Sequence, residues 1–122
     1  MSKKILIVED DKSLQQLLGD MLESEGFKVV KAYNGEDGSD LVKSENPDIV
    51  LLDLRLPKKD GFEVLRELKA NEATSSIPLL VFTNLEDSEY INRAIEAGAT
   101  NYIVKSNYDL EDILKKIKQI LE

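Results

Sequence analysis

The 122-residue sequence contains no cysteine and no histidine. Without cysteine it has no disulfides, no thiolate metal sites and no cysteine nucleophile, a composition that fits a cytoplasmic protein. Without histidine, zinc sites of the usual imidazole type and histidine acid–base catalysis are excluded. No apolar run approaches the length needed to span a bilayer, so no membrane association is expected. An excess of basic residues is also missing: the formal net charge is -8. That balance argues against direct nucleic-acid binding and accounts for solubility. No leader pattern is visible, since Met1-Ser2-Lys3-Lys4 runs directly into strand-like residues.

What is present is a series of five short strand-like runs, four of which end in a functional group. The central one is Ile49-Val50-Leu51-Leu52-Asp53. Four apolar residues without alternation read as a strand buried on both faces. A charge fits at its carboxyl end, where open α/β sheets bind ligands. Lys4-Ile5-Leu6-Ile7-Val8 is a similar run and leads into Glu9-Asp10-Asp11. Phe27 to Ala32, Pro78 to Thr83 and Asn101 to Lys105 supply three more strands. Between them lie helical patterns: Leu14, Leu17, Leu18, Met21 and Leu22 with Gly26 as cap; Glu36 to Glu45, the weakest because of Gly38 and Ser39; Phe62, Leu65 and Leu68, opened by Asp60 with Glu63 as a capping box; Asp87 to Ala97, closed by Gly98; and Leu110 to Leu121. Asn46-Pro47 stops the second helix.

Five strands alternating with five helices predict a single α/β domain over residues 1–122, with a parallel sheet and helices on both faces. No segment remains that could form an output domain. In such a sheet Glu9, Asp10, Asp53, Thr83 and Lys105 converge on one edge. Singly, each acid is the ordinary charge of a solvated loop, Thr83 a β-branched strand end, and Lys105 an exposed strand-end cation. Jointly they have a specific chemistry. Carboxylates about 5 Å apart repel by about 3 kcal/mol at an effective dielectric of about 20. Three of them raise a pKa, recruit a cation, or do both. Lys105 offsets one charge, and a hard divalent ion such as Mg2+ suits the remainder. Asp53 is then a candidate nucleophile toward phosphorus, with Thr83 and Lys105 as phosphoryl contacts.

These residues closely resemble the receiver domain of bacterial two-component response regulators over nearly the whole chain. The likeness rests on Ile5 to Asp11, Ile49 to Asp53, Pro57 with Asp60-Gly61, Val81-Phe82-Thr83, Gly98-Ala99 and Tyr102-Ile103-Val104-Lys105, and on the separations from Asp53 to Thr83 and to Lys105. The resemblance implies a doubly wound, flavodoxin-like sheet of order 2-1-3-4-5. It implies Asp53 as phosphoacceptor, a Mg2+ cofactor held by Glu9, Asp10, Asp53 and the backbone carbonyl of Arg55, and Thr83 with Tyr102 as a switch. The implied partners are a histidine kinase or phosphotransfer protein and a downstream protein target, and a homodimer through the last helices is compatible. The signal would leave through the face of the fourth helix, fifth strand and fifth helix. The implied protein assists its own phosphorylation and dephosphorylation and is not an enzyme in the ordinary sense.

Three positions depart from the family pattern. Ser106 stands where a proline usually follows the lysine, which predicts a trans Lys105-Ser106 bond, since a cis bond to a non-proline costs about 2.5–4 kcal/mol. Asn84 replaces a small residue, and Arg55 sits two positions past Asp53, where it is expected to cover the site or pair with Glu9 and so hinder hydrolytic water. Two other readings compete. One is a receiver-like binding module that is never phosphorylated, against which the full set of acids, hydroxyl and amine argues. The other is a phosphohydrolase of the haloacid-dehalogenase type, which wants an acid where Arg55 stands. No glycine-rich phosphate loop is present to suggest nucleotide binding.

Overall fold

The computed structural model describes residues 2–84, 88–99, 101–105 and 109–122. Its elements in chain order are β1 (Lys4–Val8), α1 (Lys12–Ser24), β2 (Lys28–Ala32), α2 (Gly35–Glu45), β3 (Ile49–Leu52), α3 (Gly61–Ala70), β4 (Leu79–Thr83), α4 (Ser88–Glu96), β5 (Asn101–Val104) and α5 (Leu110–Leu121). All strand pairs are parallel and the order is β2-β1-β3-β4-β5, as the resemblance implies. The predicted start of the fourth helix at Asp87 and the Lys105-Ser106 bond lie outside the described residues.

Strand alternation divides the core into two layers. Leu6, Val8, Val50, Leu52 and Val81 point to the α2, α3 and α4 side, where Val42, Phe62, Leu65, Leu68 and Ala94 meet them. Ile5, Ile7, Ile49, Leu51, Leu80, Phe82 and Ile103 point to the other side, against Leu18, Leu22, Ile113 and Ile117 of α1 and α5. Each such side chain contributes about 1.5–3 kcal/mol on burial. Covering both faces is what makes continuous apolar strands stable here.

Several local expectations change in detail. Leu17 is 52% exposed, because the buried stripe of α1 runs through Gln15, Leu18 and Leu22. The low helix propensity of Gly38 is offset by packing: a Cβ there would lie 2.8 Å from Val8 Cγ1. Asp60 caps α3 by accepting from the Phe62 amide at 2.6 Å, not through the expected reciprocal bond with Glu63. A capping box forms instead at α5, between Asp109 and Asp112. Pro78 precedes β4, where its missing N–H disrupts no ladder bond.

Candidate functional site

Strand register places the acids. Val8 pairs with Leu52, so β1 and β3 end level, while β4 runs two residues past Val81, the partner of Leu52, to Thr83. Glu9 and Asp53 therefore leave the sheet side by side, and the Asp53 amide donates to the Val8 carbonyl at 3.0 Å. Asp11 caps α1 by accepting from the Leu14 amide at 3.1 Å, and its own amide donates to Glu9 Oε2 at 3.1 Å. Asp53 Oδ1 accepts from the Arg55 amide at 3.2 Å. One carboxylate oxygen each from Glu9, Asp10 and Asp53 lies within 4.8 Å of the others. Glu9 and Asp53 are buried and Asp10 is exposed.

Lys105 closes the cluster from the end of β5. Its Nζ donates to Asp53 Oδ2 at 3.1 Å and to Glu9 Oε1 in a short contact, and it sits 5.4 Å from the centre of the Phe82 ring. Burial alone would lower the lysine pKa, but its bonds to Glu9 and Asp53 outweigh that and hold it above the usual value. Burial pushes the Glu9 carboxyl from 4.5 up to about 7; the Lys105 bond pulls it down and the charge on Asp53 adds to the rise. Three acids against one ammonium leave negative charge in a partly buried place. Hard oxygen donors at this spacing suit a divalent cation, so the residues fit the metal the resemblance implies.

The Glu9 shift has a measurable sign. The folded protein keeps the Glu9 proton up to about pH 7, while the unfolded chain releases it near the ordinary value of 4.5. Between those values the folded state binds more protons, so this group costs stability as pH rises across the window. With metal chelated, the gain in melting temperature from Glu9→Gln is expected to be negligible near pH 4.5 and to grow toward pH 7. A gap independent of pH would show that Glu9 titrates normally.

Thr83 is fully buried at the end of β4, and its Oγ1 has no hydrogen-bond partner among the described residues. A buried hydroxyl in that state costs about 1–3 kcal/mol, so it is poised to bond any acceptor placed nearby. Tyr102 is half-buried against the α2, α3 and α4 side of the core, and burial together with the charge on Asp53 raises its pKa. The expected pairing of Arg55 with Glu9 is not found: Lys105 takes Glu9, and the Arg55 side chain is exposed. Asn84 is exposed as well.

Two supporting features escaped the sequence reading. Gln15 is fully buried, and its Nε2 donates to the carbonyls of Ile7 (2.9 Å), Glu9 (3.2 Å) and Ala32 (2.8 Å). It ties the ends of β1 and β2 together directly behind Glu9. The available signal was its position, three and seven residues before Leu18 and Leu22 on an apolar stripe. Gly61 packs against the backbone that follows β3: a Cβ there would lie 2.4 Å from both the Asp53 carbonyl oxygen and Leu54 Cα.

Comparison with known proteins agrees with this geometry. The family model for the response regulator receiver domain matches residues 5–118. The DNA-binding dual master transcriptional regulator RpaA of Synechocystis sp. is 36% identical over 118 residues, covering 97% of this chain and 48% of that protein. The chain thus spans about half the length of that curated relative. The BeF3-activated N-terminal receiver domain of Klebsiella pneumoniae RstA is 30% identical, with a TM-score of 0.89 and 98% of each chain covered. The Mn2+-bound form of response regulator Rcp1 is 32% identical, with a TM-score of 0.82 over 97% of this chain and 91% of that one.

Proposed function

This chain belongs to the response regulator receiver family, and from that premise we propose that it is a Mg2+-dependent phosphoacceptor whose acceptor group is the Asp53 carboxylate. The observation that carries the reading is the convergence of Glu9, Asp10 and Asp53 oxygens within 4.8 Å, with Lys105 bonded to two of them. Glu9, Asp10, Asp53 and the backbone carbonyl of Arg55 would hold the metal, which when bound supplies positive charge to offset that of an incoming phosphoryl group. The Mn2+-bound Rcp1 relative supports a divalent site of this kind.

Asp53 attacks phosphorus through a carboxylate oxygen, forming an acyl phosphate as the bond to the donor breaks. The β3 strand and the Arg55 amide hold the attacking group in place. Lys105 is already within bonding distance of Asp53 and pairs with a phosphoryl oxygen. The Thr83 hydroxyl, without a partner among the described residues, donates to another. Its movement toward the phosphate frees space on the side of Tyr102, which turns inward and reshapes the face of α4, β5 and α5. A charge of about -1.5 to -2 is enough to bias such a two-state element.

The donor is a phosphohistidine on a histidine kinase or phosphotransfer protein, since this chain has no histidine of its own. A downstream protein reads the switched face, and the same face can support a homodimer. The 122 residues act as one receiver domain in the cytoplasm, assisting their own phosphorylation and dephosphorylation. No helix among the described residues is long and apolar enough to cross a membrane. Their net charge of -8 supports a domain that makes no nucleic-acid contact itself, whatever a longer relative such as RpaA does with its remaining half. The test is intact mass after incubation with phosphoramidate and Mg2+. One phosphoryl adduct on the peptide containing Asp53, lost when the metal is chelated during labelling, is expected; labelling elsewhere, or labelling indifferent to chelation, would overturn the reading.

A further inference from the structure

A cavity of about 610 Å³ opens beside the acids, between the loop that follows β3 and helix α4. Asp10 borders it, Arg55 lines it from the loop, and Arg93 lines it from α4. The Arg93 guanidinium lies 4.1 Å from the centre of the Phe62 ring and 5.9 Å from that of Tyr90, and the two rings stack 6.2 Å apart. This cation–π contact holds the Arg93 guanidinium over the ring at the cavity wall. Among the described residues neither guanidinium has a carboxylate within ion-pair distance. The two acids on the cavity wall are otherwise engaged: Asp60 caps α3, and Asp10 belongs to the cation cluster. Among the described residues, two cations therefore face this space with no carboxylate paired to either.

We propose that this cavity is a recognition subsite for an acidic side chain flanking the phosphohistidine of the donor protein, received by Arg55 and Arg93. The inference rests on the phosphoacceptor reading above and names the chemistry of the partner. Asp10, whose carboxylate groups with that of Asp53, also lines the cavity, so a donor aligned on Asp53 is brought beside it. In the transfer an Asp53 oxygen bonds phosphorus as the P–N bond breaks; the imidazole nitrogen keeps that electron pair and takes a proton from water. The flanking carboxylate makes charge-assisted bonds to the guanidiniums while this happens. The protein's overall charge works against such a partner: at -8, the long-range field favours basic donors. A preference for an acidic donor can then come only from a local feature.

The test uses two short peptides, each with one phosphohistidine, flanked by glutamates in one and by glutamines in the other. The parent protein is expected to accept phosphate from the glutamate peptide about tenfold faster at subsaturating concentration, the scale of one charge-assisted contact. Arg93→Gln and Arg55→Gln each bring the ratio toward one, Arg93→Lys retains part of it, and Arg93→Glu shifts the preference to a lysine-flanked peptide. Because the readout is a ratio within one protein, a general loss of activity does not imitate it. Equal rates for the two peptides in the parent, with phosphoramidate labelling intact, would overturn the subsite and leave the phosphoacceptor reading standing. A ratio that survives in both arginine variants would also overturn it. Absence of labelling from every donor removes the phosphoacceptor reading, and the subsite with it.

Discussion

Asp53→Asn is expected to abolish phosphoryl transfer, raise the melting temperature of the metal-free protein and weaken Mg2+ binding at least about tenfold. An amide oxygen does not act as the nucleophile that a carboxylate does, so the first effect is complete. The second follows from charge. Above about pH 7, where Glu9 is ionised, Glu9 and Asp53 present charged oxygens within 4.8 Å, a repulsion of about 3 kcal/mol at an effective dielectric of about 20. Lys105 bridges both, so removing one negative charge costs part of an ion pair but leaves a neutral Glu9–Lys105 pair. The balance is a stabilisation of about 1–2 kcal/mol, several degrees for a domain of this size. The third follows because a cation held there would lose one of three acids. Intact mass, calorimetric melting in chelator and Mg2+ titration read the three effects separately. An unchanged or lowered metal-free melting temperature would mean that the acids do not repel as the geometry requires.

Gly61→Ala is expected to destabilise the protein by about 3 kcal/mol or more and to weaken metal binding with it. A methyl group at residue 61 would stand 2.4 Å from the Asp53 carbonyl oxygen and from Leu54 Cα. Both atoms are backbone, held by the end of β3 and by the bond from the Gly61 amide to the Leu54 carbonyl at 3.0 Å, so neither gives way cheaply. The loop must move as a unit, and its far side has no slack: a Cβ at Gly35 would lie 1.8 Å from the Lys59 carbonyl oxygen. Displacing this loop carries the Asp53 and Arg55 backbone with it. Melting and Mg2+ titration of the variant measure both consequences. A variant with parent-like melting and affinity would show that the loop accommodates a side chain.

The strands and the edge they share were legible because buried parallel strands leave a continuous apolar signal and all but β2 lead into a polar residue. Asp53, Glu9 and Lys105 could be placed together from topology alone. Their pairing could not, because it depends on side-chain reach: Arg55 is nearer in sequence to Asp53, yet Lys105 takes both buried acids. Gln15 was passed over because a polar residue on an apolar stripe looks like noise until three backbone carbonyls are seen around it. The closeness of Gly61 to the Asp53 backbone was hidden for a related reason. A glycine at the start of a helix has many explanations, and contact with a neighbouring loop leaves no mark in composition.

The bond from Lys105 to Glu9 joins positions 96 residues apart. Lys105 directly follows β5, so the contact exists only once β5 has docked beside β4. Until then Glu9 and Asp53 lack the ammonium that bridges them in the folded domain. The finished ion-pair set at this rim is thereby a certificate of completed folding: a partly assembled chain carries Asp53 but lacks the ammonium that makes its surroundings habitable.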